Sequence, residues 1–101
     1  MLLVTSDFAR TPALNGRDGR DHHLASSCLL AGPGICGDTV IGATDDVSMA
    51  SVPVSLSSGL ASSQGWVVRP PDVHATLLTA AGLSIDHLSN QDPQIITGLL
   101  S

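Results

Sequence analysis

A short apolar run, Leu2-Leu3-Val4, passes without a break into Thr5-Ser6-Asp7 and then into a polar loop that closes with Gly19-Arg20-Asp21-His22-His23. Uninterrupted apolar runs mark parallel strands covered on both faces, and the ligands of open α/β sheets lie beyond the carboxyl ends of such strands. Asp7 stands at such an end. Thr11-Pro12 and Asn15-Gly16 supply the turn chemistry that folds the loop back over it, with Arg10, Arg17, Asp18 and Arg20 in between. A carboxylate and two imidazoles on one loop suit a hard or borderline divalent metal, and the arginines leave donors for an anionic group. The expected fold is α/β, with a short core of parallel strands.

Beyond the loop, Leu24 to Ala31 reads as a second strand that Gly32-Pro33-Gly34 stops. The stretch from Gly32 to Gly37 fits GxGxxG formally. A dinucleotide site needs that motif to open a helix, whereas here a β-branched run, Asp38 to Ala43, reads as a further strand. A glycine turn between strands is the expectation. Residues 44–68 are a serine-rich excursion in which Val52-Pro53-Val54-Ser55-Leu56 alternates as an edge strand and returns through Gly65-Trp66-Val67-Val68, a peripheral hairpin packed by Met49 and Trp66. Pro70-Pro71-Asp72 opens the one clear helix and Gly82 closes it. Its apolar stripe, Val73, Leu77 and Ala80 with His74, Leu78 and Ala81 beside it, is expected on the sheet. The tail turns at Asn90-Gln91-Asp92-Pro93 and either adds a short strand or docks.

The core is expected to be thin. Aromatic side chains each bury about 150–250 Å², and this chain has one Phe, one Trp and no Tyr. Its net charge of −5 arises from nine acidic residues, all Asp, against four basic ones, all Arg. An acidic chain without a basic cluster argues against nucleic acid or an anionic membrane as partner. No stretch reaches the roughly 18 apolar residues of a membrane span. Met1-Leu2-Leu3-Val4 is too short and lacks the basic region of a signal peptide. A buried strand at the initiating methionine points to missing upstream sequence. Cys28 and Cys36 do not have CxxC spacing and read as two unpaired, buried thiols.

Several of these residues also carry a resemblance. Thr5-Ser6-Asp7-Phe8-Ala9-Arg10-Thr11-Pro12, Asn15-Gly16 and Gly19-Arg20-Asp21-His22 resemble the S-[DE]-F-G-R-T-P, N-G and G-[RK]-D-H signature of the bacterial family called domain of unknown function 1501. The likeness continues through Leu29 to Ile35, Val40 to Asp46, Arg69-Pro70 and Asp72 to Leu78. That family is similar in fold to the alkaline phosphatase and sulfatase superfamily, and the chain resembles the carboxyl-terminal quarter or so of a member. The resemblance implies a carboxyl-terminal fragment of an alkaline phosphatase/sulfatase-like sandwich, a single incomplete domain over 1–101 whose partner is the missing amino-terminal part. Family members are often exported.

The resemblance also implies roles. Asp7 matches a metal-binding aspartate and His22 a later metal-binding histidine, with Asp21 beside it. Phe8 stands where the superfamily has a histidine, and His23 where many relatives carry Trp. Arg10 is the anion-binding candidate, against an ion pair with Asp7 or Asp18. The cofactor implied is a divalent metal, zinc, manganese or calcium, and the substrate a small anionic ester. The nucleophile and amino-terminal ligands lie outside this chain. Three readings follow: a fragment of a metal-dependent hydrolase, inactive alone; a noncatalytic metal- or anion-binding relative; and a small structural or interaction module.

Overall fold

The computed structural model describes all residues, Met1–Ser101. Four short strands come first: β1 (Leu2–Thr5), β2 (Ala9–Arg10), β3 (His22–His23) and β4 (Cys28–Ala31). One helix, α1 (Pro70–Ala80), and two 3₁₀ turns, Asp86–Gln91 and Thr97–Leu99, follow. No helix is long and apolar enough to cross a membrane. The chain is broadly α/β, with two small sheets and one helix.

The strands form two ribbons, β1 with β4 and β2 with β3, and both are antiparallel. This corrects the expected parallel core. A parallel pair needs a crossover of about a dozen residues or more, usually helical, and no helix precedes Pro70. The inner ribbon instead turns the chain round, so that Thr5 meets Cys28 and Leu2 meets Ala31. Nor is β1 buried, since all four of its residues are exposed. The strand expected from Leu24 starts only at Cys28, because the Ala25 N–H donates to His23 Nδ1 at 2.9 Å and draws the backbone off the ladder. Both cysteines are free but exposed, contrary to the burial expected of small hydrophobes, because Cys28 lies on this uncovered ribbon and Cys36 on a surface loop.

Gly32-Pro33-Gly34 makes the expected turn, with φ of 139° and 84° at its glycines. A Cβ at Gly34 would stand 2.8 Å from Ala80 O, so the turn packs on the end of α1. The strand expected over 38–43 does not form. Asp38 takes φ 53°, Val40 is exposed, and no strand lies beside the run to receive its backbone.

Every buried residue lies at or after Val54: Val54, Gly59, Asp72, Ala75, Thr76, Leu88 and Ile96. Val54 bridges both Ala61 and Trp66, exchanging backbone bonds of 3.0 and 2.9 Å with Trp66. The alternating segment of the stretch 44–68 supplies a fully buried side chain, Val54. Met49, expected to pack it, is half exposed.

Helix α1 begins and ends as its sequence dictates. Pro70 and Pro71 fill the first turn, Arg69 caps in extended conformation, and Asp72 Oδ2 accepts the Arg69 N–H at 2.8 Å. Gly82, at φ 76°, ends it in a Schellman motif, with Leu83 N–H on Leu78 O and Gly82 N–H on Thr79 O. Its buried face is Asp72, Ala75 and Thr76 rather than the expected apolar stripe. Polar anchors turn the helix. Asp72 Oδ1 accepts the Gln94 N–H at 2.8 Å and Thr76 Oγ1 the Ile96 N–H at 2.9 Å, so α1 docks on the tail and not on a sheet. The tail continues to Leu100, which bridges Ile35.

Candidate anion-binding groove

The inner ribbon holds the chemistry expected of the first quarter. Its register sets Arg10 opposite His22 and Ala9 opposite His23. Phe8, just before the ribbon, stacks on His22 with ring centroids 3.7 Å apart and planes 21° from parallel. The Arg10 guanidinium lies 4.8 Å from the Phe8 centroid. Phe8 thus packs against the neighbouring imidazole and cation.

The loop between the two strands is closed by its own polar groups. The Thr11 N–H donates to Asp21 O at 2.9 Å, and the Asp21 N–H to Thr11 Oγ1 at 3.1 Å. Asn15 organises the turn: its Oδ1 accepts the Arg17 and Gly19 N–H groups, and its Nδ2 donates to Asp21 Oδ1 at 2.9 Å. Asp18 takes φ 59°, which short polar side chains tolerate.

A second loop fixes the far wall. Asp45 Oδ1 accepts the N–H groups of Ser48, Val47 and Met49 at 2.8, 2.9 and 3.1 Å. The bond from Ser48, then that from Val47, outweighs desolvation and holds the carboxyl below the usual carboxylate range. Ser48 O, presented by this turn, accepts from His23 Nε2 at 2.9 Å while His23 Nδ1 accepts the Ala25 N–H. Both ring nitrogens are thereby assigned, and His23 is held as the Nε2–H tautomer.

Between these walls lies a groove of about 490 Å³ lined by Arg10, Arg20, His23 and the hydroxyl residues Thr11, Ser26 and Ser27. Arg10 Nη1 donates to Arg20 O at 3.0 Å; Arg20 Nη1 donates to Thr11 O at 3.1 Å and to Pro12 O. Neither cation meets a carboxylate, since the chain's one ion pair joins Arg69 to Asp72 at 3.2 Å. The alternative expected for Arg10, a pair with Asp7 or Asp18, does not form. Backbone carbonyls orient the two guanidiniums without neutralising them, which leaves charge and planar donors for an oxyanion.

The metal candidates are placed apart. Asp7 is exposed in the bend after β1, Asp21 is tied to Asn15, and His22, itself exposed, stacks on Phe8. No group of three or more His, Cys, Asp or Glu side chains converges to hold an ion. Sequence reasoning missed the groove-lining places of Ser26, Ser27 and His23, and the turn that Asp45 holds beside it. The Asp45 turn had a readable signal, an Asp two and three residues before backbone N–H groups in a polar stretch.

Fold and groove together define a small α/β chain whose conspicuous feature is a cationic, hydroxyl-lined surface cleft. Residues 1–95 match the family described as a protein of unknown function, DUF1501, and the chain belongs to that family. No curated protein and no solved structure matches it.

Proposed function

We propose that this chain is the carboxyl-terminal part of a metal-dependent ester hydrolase with an alkaline phosphatase/sulfatase-like sandwich, inactive alone, and that its contribution is recognition of the substrate's anionic group. The observation that carries this reading is Arg10, which lines the groove, is held by Arg20 O and has no carboxylate partner. Small tetrahedral oxyanions, sulfate or phosphate esters, match two planar cations among hydroxyls. The exposed apolar residues of β1 and β4 support the idea of a partner segment, because such ribbons are normally covered in a complete α/β domain.

In that setting Asp7, Asp21 and His22 form part of the shell of a divalent ion, zinc, manganese or calcium, with the remaining ligands from the amino-terminal part. A catalytic zinc takes about three protein ligands plus water, so the three separated side chains of this chain are not sufficient. The engagement of Asp21 by Asn15 and of His22 by Phe8 favours a second reading, a noncatalytic anion-binding member of the same fold. Hydrolysis of aryl sulfates or phosphates by the full-length protein separates the two.

The anion site is testable on the chain itself by titration with inorganic sulfate and phosphate, following the amides of Ser26 and Ser27 by NMR. Saturable shifts are expected, weakened about tenfold or more in Arg10→Ala, the equivalent of one charged hydrogen bond. Arg17→Ala should change little, since Arg17 does not line the groove. Equal weakening in both variants, or no saturation, rules out a built anion site.

A further inference from the structure

The chain has four histidines, and two of them are already engaged. His22 is stacked on Phe8, and His23 uses both ring nitrogens. The other pair lies on the opposite half of the molecule. His74 projects from α1 and His87 from the 3₁₀ turn Asp86–Gln91, both exposed, with ring centroids 6.1 Å apart and planes at 70°. Neither imidazole enters the chain's hydrogen-bond network, so all four nitrogens are free to ligate.

Their supports are among the most firmly held in the chain. His74 is flanked on α1 by the buried Asp72 and Ala75, and His87 directly precedes the buried Leu88. Leu88 N–H donates to Ile85 O at 2.9 Å, closing the 3₁₀ turn, which packs against α1. Two ligands presented by two packed elements are a chelate rather than two independent side chains.

We infer that His74 and His87 form a two-imidazole site for a borderline divalent transition ion, nickel, copper or zinc, with the remaining coordination positions open to water. With metal–nitrogen bonds of about 2.0–2.1 Å and ring nitrogens about 1.1 Å from their centroids, two imidazoles on one ion have centroids about 4.5 Å apart at right angles and about 5.2 Å apart in a tetrahedral site. The observed separation of 6.1 Å needs closure of about 1–1.6 Å, within the reach of side-chain torsions at exposed rings. Imidazole selects these borderline ions over magnesium and calcium. The site is separate from the groove and from Asp7, Asp21 and His22, so it stands or falls independently of the proposed hydrolase role.

The test is calorimetric titration of the full chain with Ni²⁺, its two thiols capped by iodoacetamide so that Cys28 and Cys36 do not compete. One ion per chain is expected. His74→Asn and His87→Asn should each weaken binding about 10²-fold, the loss of a chelate's second arm, and the double substitution should add little. In NMR spectra Ni²⁺ should broaden the His74 and His87 ring signals together and spare His22 and His23. Arg17→Ala, in the loop between β2 and β3, should leave uptake unchanged. Unaltered affinity in both single variants, or broadening centred on His22, overturns the inference and leaves the pair as an edge-on packing contact.

Discussion

The two halves of this molecule solve the problem of a thin core in opposite ways. The half before Val54 contains the longest apolar run and the signature residues, yet none of its residues is buried. The half from Val54 onward is polar and serine-rich at its start, yet it holds all seven buried residues, and two of those are polar, Asp72 and Thr76. Order in the second half is set by satisfied hydrogen bonds around one carboxylate. In the first half, exposed ribbons and self-bonded loops display side chains toward solvent. A chain with one Trp and one Phe cannot fill a core with rings, so a buried polar hub does the organising, and what remains apolar is left uncovered.

The largest effect expected follows from breaking the hub. Asp72 accepts the Trp66 indole N–H at 2.9 Å, the Arg69 N–H at 2.8 Å, the Arg69 guanidinium at 3.2 Å and the Gln94 N–H at 2.8 Å. Asp72→Ala strands the indole and Gln94 donors, at about 1–3 kcal/mol each. Against the roughly 5–15 kcal/mol of a typical domain, that loss is expected to abolish cooperative unfolding. Denaturant titration followed by the emission of Trp66 measures it directly. A shift under about 1 kcal/mol would show that the hub is not what orders this half.

Acid sharpens the same point. Burial pushes the Asp72 carboxyl up, but the bonds from Gln94, Arg69 and Trp66 outweigh it and hold the group below the 3.8 of a free aspartate. The folded state therefore binds the proton less readily than the unfolded one. The stability this supplies is complete above the unfolded value, and it declines as pH falls through the depressed folded value. Trp66 emission should report loosening on acidification below about pH 4, and Asp72→Asn should lack that acid-dependent part. Identical acid profiles for the two proteins would assign the transition elsewhere.

The difference between the halves also explains what the sequence made legible. Helix α1 was readable to its ends because Pro70, Asp72 and Gly82 act through local backbone chemistry. The glycine turn at Gly32 and Gly34 was readable for the same reason. The face of α1 was not, because the apolar period of Val73, Leu77 and Ala80 competes with two polar residues whose partners, Gln94 and Ile96, lie about twenty positions away. Strand direction failed likewise. An apolar run such as Leu2 to Val4 records a preference for cover, and its pairing with Leu29 to Ala31 depends on how the intervening ribbon turns. At the groove, Arg10 was legible as an anion candidate, but its freedom from carboxylates required the positions of every Asp in the chain.

The smallest expected effect probes the uncovered half. Leu3 is 42% exposed and sits opposite Leu30 on a ribbon with two free edges. In this chain Leu3→Ser removes little burial, so the Trp66 transition should move by less than about 0.5 kcal/mol, as for an ordinary surface position. The amides of β1 and β4 should exchange with solvent well before those of α1, because two-stranded ribbons open readily. In the full-length protein the proposed amino-terminal part would cover this face, and the same substitution should then cost about 2 kcal/mol, the value of a buried leucine made polar. A small loss here and a large one there would identify β1 and β4 as the seam of a larger domain. A large loss in the chain alone would break the comparison, by showing that the first half shares the core of the second.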